Sequence, residues 1–494
     1  MSFRPPKLLR VLTAALGSCV IGALVTLSPP LSADAFDLPD FGSSAGGIMT
    51  AAEQRALGQE FMKWVRKTLK VSQDPVLTDY IQTIGSQLVA ASREAGGGYD
   101  FFIVEDPSIN AFAGPAGHVG VNAGLILSAE TEAELAAVVA HEIAHVSQQH
   151  LLRSIEAQKQ MSLPATALLI AAAVLGAAID PQAGAAALMG VQGAAAQRQI
   201  NFTRSNEEEA DRIGIDTLAR AGQDPYAMPG FFQKLTKATR IYDSGAPELL
   251  RTHPVTTDRI ADALARAEQY GHRQRPDSLR FHLARANLRQ LNYSSPERAI
   301  DYFKQTLAQG RYRNETAERY GYALALTRAG RLDDARAQLK SLLQRHPSQT
   351  EFIVLQAQID QRSGNADRAV SDLKGAVGLS PGNWPLHQAY AEALMAAGKS
   401  AQALTTLEGF VALRPGIPQI YELMADAAGK SGRRAQTLRW RAEALYLNGD
   451  LEPAIRQLEL ALRQPKLEFH EASKIQVRLD ELNAEFRARD KKRF

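Results

Sequence analysis

The sequence is poor in cysteine and in excess charge. Cys19 is the only cysteine among 494 residues, and 56 basic against 53 acidic residues leave a formal net charge of +3. A chain this balanced is not expected to bind nucleic acid, which requires a strongly basic surface. Hydrophobic residues make up 45% of the chain, an ordinary share for a soluble protein. The length allows two or three domains.

The amino terminus has the three parts of a secretory signal peptide. Basic residues precede an apolar run from Val11 to Leu27, and Ala33 and Ala35 form a small-residue cleavage site. Cleavage after Ala35 would remove Cys19, so the mature chain would need no disulfide bonds in an oxidising compartment. It would also lower the net charge to about +1, because the leader carries three basic residues and one acidic residue. An uncleaved membrane anchor is the alternative.

The segment His141-Glu142-Ile143-Ala144-His145 has the spacing of a zinc-hydrolase motif. In a helix, His141 and His145 lie on one face, where both imidazoles can bind one metal ion. Glu142 lies about 100° further around the helix. Its carboxylate is therefore the candidate general base for a water at the open metal position. The same pattern occurs by chance in unrelated helices, where solvent satisfies the polar side chains.

The residues around this motif predict its helix. Thr131 followed by Glu134 forms a capping box, which marks a helix start. Apolar residues follow at helical spacing: Leu135, Val138, Val139, Ile143 and Val146. We therefore predict one long helix from Thr131 to about Leu152, with the metal motif near its middle.

A third metal ligand is expected from a later helix, because catalytic zinc sites usually have three protein ligands. A histidine six residues after His145 is absent, and His150 is one residue short of that position. Residues 204–211 offer Glu207 as a ligand. Asp211 shares its helix face and can accept the ring N–H of a ligand histidine. These acidic residues could instead be the ordinary charges of a helix start.

Together these motifs resemble the gluzincin metalloproteases of the HtpX and CAAX-prenyl-protease type. The resemblance rests on His141-Glu142-x-x-His145 paired with Glu207-x-x-x-Asp211. It implies a mainly α zinc-protease domain with a small β element. One zinc ion would be bound by His141, His145 and Glu207, with Glu142 and Asp211 as catalytic groups.

The segment before the motif predicts a substrate-binding edge strand. Residues 110–125 resemble the corresponding segment of the family, and Val119, Gly120, Val121 and Asn122 are typical of a short strand that runs into a turn. Metalloproteases of this kind bind substrate as an added strand, through main-chain hydrogen bonds. An ordinary hairpin strand is the alternative.

His253 is a candidate fourth ligand. Pro254 favours an extended conformation at His253, which suits a side chain that reaches inward. In periplasmic relatives of the β-barrel assembly-enhancing type, a histidine in a similar loop occupies the fourth zinc position and holds the enzyme off. The resemblance therefore implies a regulatory zinc ligand. His253 could instead donate a hydrogen bond to an oxyanion or be a surface loop residue.

An apolar insert separates the motif from Glu207. Residues 163–178 are almost entirely Ala, Leu, Ile and Val, and residues 183–196 are rich in Ala and Gly. The first run is shorter than the ~20 residues of a bilayer span. We predict a helical hairpin over Leu163 to Ala196 that is a lid, a membrane-surface contact or a buried core element.

The second half of the chain repeats every 34 residues. Three residue types keep this period: Gly330, Gly364 and Gly398; Ala335, Ala369 and Ala403; Pro347, Pro381 and Pro415. The period and the order resemble tetratricopeptide repeats, which stack into an α-solenoid whose concave surface binds a protein segment. Gly449 and Ala454 restart the pattern half a period early, so one helix is expected to serve two repeats.

These observations predict a leader over residues 1–35, a zinc metalloprotease domain over 36–270 and a repeat domain over 276–480. The resemblance implies a periplasmic zinc endopeptidase with a chaperone-like role in outer-membrane protein assembly. It would degrade unfolded or misassembled β-barrel proteins and contact the β-barrel assembly machinery through the repeats, and the apolar insert is compatible with peripheral membrane contact. The alternative is a non-proteolytic chaperone or adaptor that uses only the solenoid.

Overall fold

The computed structural model describes most of the chain after residue 48, namely residues 49–93, 95–96, 98–156, 194–241, 247–273 and 275–490. The predicted leader and residues 163–193 of the apolar insert lie outside the described residues. The described chain is mainly α-helical, as predicted, with a three-stranded sheet. Within it, no helix combines the length and apolar character needed to cross a membrane.

The amino-terminal half begins with two capped helices and the sheet. Helix α1 spans Ala51–Thr68 and α2 spans Pro75–Ala91; the side chains of Thr50 and Asp74 accept hydrogen bonds from their first turns. The strands are β1 (Asp100–Val104), β2 (Ala111–Ala113) and β3 (His118–Asn122), with a 3-10 turn at Pro115–Gly117.

The strand that we predicted as an edge is the central strand of the sheet. β3 pairs in parallel with β1 and antiparallel with β2, so the order is β1-β3-β2. The predicted substrate-binding edge at Val119, Gly120, Val121 and Asn122 is therefore wrong, because hydrogen bonds to β1 and β2 already occupy both sides of this strand. After Asn122 the chain enters a helix rather than a turn.

The metal motif lies on a helix that is shorter than predicted. Helix α3 (Ala123–Ser128) is followed by α4, which spans Glu132–Ser147. The Thr131 hydroxyl caps α4 by accepting a hydrogen bond from the Glu134 N–H at 3.2 Å. The chain then breaks at Gln149, whose φ of 53° lies in the left-handed region. Helix α5 (His150–Glu156) follows this break.

Four further helices complete the amino-terminal half: α6 (Ala194–Arg220), α7 (Ala227–Ile241), α8 (Glu248–Thr252) and α9 (Thr257–Tyr270). Helix α4 lies in the middle of the core, where Leu135, Val139 and Ile143 are fully buried. Residues of α2, the sheet, α6 and α7 surround it. This burial fixes the helix that carries the metal motif.

The carboxy-terminal half is a stack of paired helices. They are α10 (Leu279–Leu291), α11 (Pro296–Gln309), α12 (Glu315–Arg328), α13 (Leu332–Arg345), α14 (Thr350–Arg362), α15 (Ala366–Leu379), α16 (Trp384–Ala396), α17 (Ser400–Leu413), α18 (Pro418–Lys430), α19 (Arg434–Leu447), α20 (Leu451–Leu462) and α21 (Phe469–Asp490). Gly330, Gly364 and Gly398 follow the first helix of a pair with φ of 74–79°. The periodic alanines are fully buried. A single helix, α19, separates Gly432 from Gly449, as the shortened period predicts.

The two halves share a packed boundary. Phe281, Ala284 and Leu288 of α10 belong to the core that surrounds α4. The starts of α4 and α10 are also hydrogen-bonded to each other. The Glu132 N–H donates to Asp277 Oδ1 at 2.8 Å, and the Ser278 hydroxyl donates to Glu132 Oε1 at 2.7 Å. The first repeat helix is therefore built into the amino-terminal half.

Helix α2 occupies one face of the solenoid. Val76 packs with residues of α14 and α16. Arg280 of α10 donates to Asp79 of α2 at 2.8 Å and to Glu351 of α14 at 3.0 Å. The first helices of successive repeats thus bind the chain's own helix α2. A partner segment must use other surfaces of the solenoid.

Candidate metal centre

The two motif histidines converge on one point beside α4. The Nε2 atoms of His141 and His145 lie 3.0 Å apart, and both side chains are largely buried. The helical spacing brings them together, as the motif predicts. Each Nδ1 atom points away from the other ring and is left for a second partner.

Glu207 reaches the same point from α6. Its Oε2 lies 3.4 Å from His141 Nε2 and its Oε1 lies 3.4 Å from His145 Nε2. Because α6 already begins at Ala194, Glu207 is in the middle of a helix. The alternative interpretation, acidic residues at a helix start, does not apply.

Asp211 lies one turn further along α6 and contacts the outer face of His141. Its Oδ1 is 2.9 Å from His141 Nδ1. Arg259 of α9 donates to both oxygens of Asp211, at 2.7 and 2.9 Å, and lies 3.0 Å from Glu207. Arg259 was not predicted from the sequence, because a single arginine on an amphipathic helix has no diagnostic spacing.

His253 joins the cluster from the end of α8. Its Nδ1 lies 3.0 Å from Glu207 Oε1 and 3.4 Å from His141 Nε2. Its Nε2 lies 3.5 Å from Glu142 Oε1. His253 is therefore part of the cluster and not a surface loop residue.

The cluster has the dimensions of a zinc site. One ligand atom from each of His141, His145, Glu207 and His253 lies within 4.8 Å of all the others. Tetrahedral zinc with bonds of about 2.0 Å places its ligands about 3.3 Å apart. The separations among His141, His145 and Glu207, and those of His253 from His141 and Glu207, are 3.0–3.4 Å and match that spacing. Imidazole and carboxylate are also donors that zinc prefers.

Burial and charge leave the ligands in forms that suit metal binding. Burial lowers the pKa of His145 to about 4, although Glu207 opposes the shift, so its imidazole is neutral near pH 7. Burial also disfavours charge on Glu207, but attraction to His253 and a hydrogen bond with His141 hold its pKa well below the usual range. Metal ligands must be deprotonated to bind, and both of these groups are.

His141 is protonated in the metal-free cluster. Burial disfavours that charge, but hydrogen bonds and attraction from Asp211 and Glu207 outweigh burial and raise its pKa to about 10. A metal ion would take the place of this proton on Nε2, where the other ligands converge.

Glu142 is buried next to the cluster with an uncommitted oxygen. The residue is 1% exposed, and within the described part of the chain its Oε1 has no hydrogen-bond partner. A buried carboxylate in this condition normally has a specific reason. Its position beside the ligand atoms makes it available to a water or a substrate there.

A cleft of about 910 Å³ opens onto this cluster. Its walls include Glu142, Glu207 and His253, residues of α5, and strand β2 with the turn that follows it. β2 is an edge strand, and Ala111–Ala113 lines the cleft. Strand β2, and not β3, is therefore the sheet edge that faces the metal centre.

Comparison with known proteins agrees with this geometry. The family model "Peptidase family M48" matches residues 75–267, and tetratricopeptide-repeat models match residues 316–359 and 361–427. The fold and site thus define a metallopeptidase joined to tetratricopeptide repeats, as the motifs predicted. The cofactor of this family is zinc, which was also predicted.

Comparison with individual proteins identifies the family of this chain within the M48 metallopeptidases. The chain is 41% identical over 316 residues to the "Putative beta-barrel assembly-enhancing protease" of Vibrio cholerae, covering 64% of this chain and 65% of that protein. It is 38% identical over 332 residues to the "Beta-barrel assembly-enhancing protease" of Escherichia coli K12, covering 67% and 68%. It is 28% identical over 193 residues to the "Mitochondrial metalloendopeptidase OMA1" of Arabidopsis thaliana, covering 39% and 36%. The chain belongs to the beta-barrel assembly-enhancing protease family of M48 metallopeptidases.

Proposed function

We propose that this protein is a periplasmic zinc endopeptidase in which His141, His145 and Glu207 bind the metal and Glu142 is the general base. The observation that carries the proposal is the convergence of the ligand atoms, at 3.0–3.4 Å, beside the buried Glu142 carboxylate, whose Oε1 accepts no hydrogen bond from the described residues. Bound zinc would polarise a peptide carbonyl and acidify a water. Glu142 takes the proton of that water and returns it to the leaving amine.

Asp211 acts through His141 in this proposal. Its carboxylate, held by two hydrogen bonds from Arg259, lies 2.9 Å from His141 Nδ1, where it would favour a proton and so leave Nε2 free for the metal. Asp211 is thus a positioning residue, where the sequence analysis had placed it among the catalytic groups.

We propose that substrate binds as an added strand along β2. Ala111–Ala113 is short, lies at the sheet edge and lines the cleft. Main-chain pairing reads little side-chain information, so an unfolded segment of many sequences can bind. The names of the relatives support unfolded or misassembled outer-membrane β-barrel proteins as the substrates. The solenoid would contact their assembly machinery on surfaces that α2 leaves free.

His253 is proposed as a regulatory ligand that holds the site closed. Its Nδ1 lies 3.0 Å from Glu207 Oε1 and 3.4 Å from His141 Nε2. Its Nε2 lies 3.5 Å from Oε1 of Glu142, the proposed general base. One side chain would therefore occupy the fourth ligand position of a bound metal and approach Glu142 at the same time. This arrangement supports the closed switch over an oxyanion donor, which would need a substrate at the position that His253 fills.

The proposal is tested with the mature full-length chain, zinc analysis and cleavage of an unfolded outer-membrane β-barrel protein. Wild type should contain one zinc ion, and Glu142→Gln should retain zinc and lose cleavage. His253→Ala should retain zinc and cleave faster. Absence of zinc from wild type, or undiminished cleavage by Glu142→Gln, would contradict the proposed mechanism. Slower cleavage by His253→Ala would instead assign His253 an assisting role.

A further inference from the structure

We propose that His150 and Glu209 form a hydrogen-bond relay that positions the ligand His145 and tightens zinc binding. The inference rests on the metal site proposed above. It concerns two residues that lie outside the metal-binding group itself, on helices α5 and α6.

The relay is a continuous line of close contacts. His150 Nδ1 lies 2.9 Å from His145 Nδ1, and His150 Nε2 lies 3.0 Å from Glu209 Oε2. His150 is only 4% exposed. Glu209 also lies 3.5 Å from Arg153 of α5. The outer nitrogen of His145 therefore connects, through a second imidazole, to a carboxylate paired with an arginine.

Metal binding fixes the direction of every hydrogen bond in this line. A ring nitrogen that binds a metal carries no proton, so a neutral His145 bound through Nε2 has its proton on Nδ1. It must then donate to Nδ1 of His150. A neutral His150 that accepts there has its own proton on Nε2, which donates to Glu209. Each nitrogen or oxygen in the line then either donates or accepts one hydrogen bond, and no two donors face each other.

The second ligand histidine has the same arrangement in shorter form. His141 Nδ1 lies 2.9 Å from Asp211, which is paired with Arg259. His145 reaches its carboxylate–arginine pair through His150. Because partners of this kind orient the ring and raise the basicity of the ligand, the parallel indicates that both ligands are supported.

The break between α4 and α5 is what brings His150 to His145. On a continuous helix, a residue five positions on would point about 140° away from His145. The left-handed conformation of Gln149, with φ of 53°, redirects the chain and returns His150 to the metal side. Non-glycine residues rarely adopt that conformation, so the surrounding contacts must hold Gln149 there.

The test measures zinc affinity in the mature full-length chain by competition with a chelator. His150→Ala should raise the zinc Kd about 10- to 100-fold, the usual effect of losing such a partner. His150→Gln should recover part of the affinity, because its amide can accept from His145 and donate to Glu209. Glu209→Gln should weaken binding less than His150→Ala. Glu208→Gln changes the same chemical group at the adjacent, exposed position and should bind zinc like wild type.

Two further measurements separate positioning from general destabilisation. Thermal unfolding of the metal-free variants shows whether the fold is intact, and the visible spectrum of the Co²⁺ form reports ligand geometry. Combining His150→Ala with Glu209→Gln should add little to His150→Ala alone. If His150→Ala prevents folding, the comparison of the zinc Kd values of Glu209→Gln and Glu208→Gln tests the relay by itself.

The results distinguish this inference from the function on which it rests. Wild type that binds no zinc would refute the proposed metalloprotease site. Wild type that binds zinc, with His150→Ala and Glu209→Gln equally tight and spectrally unchanged, would overturn the relay and leave the protease proposal standing. Fully additive effects of the two substitutions would overturn it as well.

Discussion

Gly214→Ala should weaken zinc binding while the protein stays folded. Gly214 lies where α6 crosses α4. A Cβ atom added there would lie 3.3 Å from the backbone N and 3.4 Å from the Cα of His141, and 2.7 Å from Cε of Met228. The end of the methionine side chain can move aside. The backbone of His141 cannot, because α4 is buried in the core.

The size of the effect follows from these distances. Carbon atoms in comfortable contact lie about 3.5–4.0 Å apart, so α6 must move away from α4 by a few tenths of an ångström. Glu207 is on α6 and His141 is on α4, so their separation of 3.4 Å should grow by a similar amount. Zinc sites tolerate deviations of about 0.2 Å. We expect the zinc Kd to rise about tenfold, equivalent to about 1.4 kcal/mol.

Stability should change much less than zinc affinity. Replacing glycine by alanine in a helix favours the helix by up to about 1 kcal/mol, which offsets the contact with His141. Gly230→Ala is the matched control, since no atom lies within 4 Å of a Cβ added there on α7. It should stabilise the protein slightly and leave zinc binding unchanged.

Chelator competition and urea unfolding of the metal-free protein give the two quantities. If Gly214→Ala bound zinc as tightly as wild type, while Gly230→Ala behaved as expected, the spacing of α4 and α6 would not control the metal site.

Three further predictions concern the groups around the site and the domain boundary. Arg259→Lys should loosen zinc binding in chelator competition, because a lysine cannot donate two parallel hydrogen bonds to Asp211; unchanged affinity would contradict this. Arg280→Ala should lower the free energy of unfolding in urea by about 3 kcal/mol, since it leaves the buried Glu351 without its positively charged partner; a loss below about 0.5 kcal/mol, the scale of ordinary surface changes, would contradict this. His141 has a folded-state pKa of about 10, above its ordinary 6.5. Its contribution to stability is complete below pH 6.5 and is lost as the pH rises through 10. With a chelator present, the midpoint temperature of thermal unfolding should therefore fall over that pH window in wild type, and it should fall less in His141→Ala.

Local patterns in the sequence predicted most of the site and of the solenoid. The helical spacing of His141 and His145 requires no tertiary information, and a repeated helix pair places Gly330 and Ala335 in the same role each time. What the sequence did not predict depends on contacts between distant segments. Val119 and its neighbours suit an edge or a central strand equally, and only pairing with both β1 and β2 decides between them.

The residues around the ligands were missed for the same reason. In the sequence, His150 is one residue short of the position expected for a third ligand histidine. Nothing in the sequence indicates the left-handed conformation of Gln149 that brings His150 to His145. Arg259 reaches Asp211 only once α9 packs against α6. In both cases the decisive contact joins segments far apart in the chain or follows a backbone conformation unusual for the residue type.

The hydrogen bonds between Glu132 and Ser278 join the repeat helices to the amino-terminal half, which carries the metal site. Glu132 lies in the first turn of α4, which carries the metal motif. Its carboxylate accepts hydrogen bonds from the N–H and the hydroxyl of Ser278, at the start of α10. A force applied to the repeats would therefore reach the start of α4 through these hydrogen bonds as well as through the chain. The repeats and the peptidase half are thus mechanically joined, and repeats separated from the peptidase half would lose part of the packed interior that α10 shares with it.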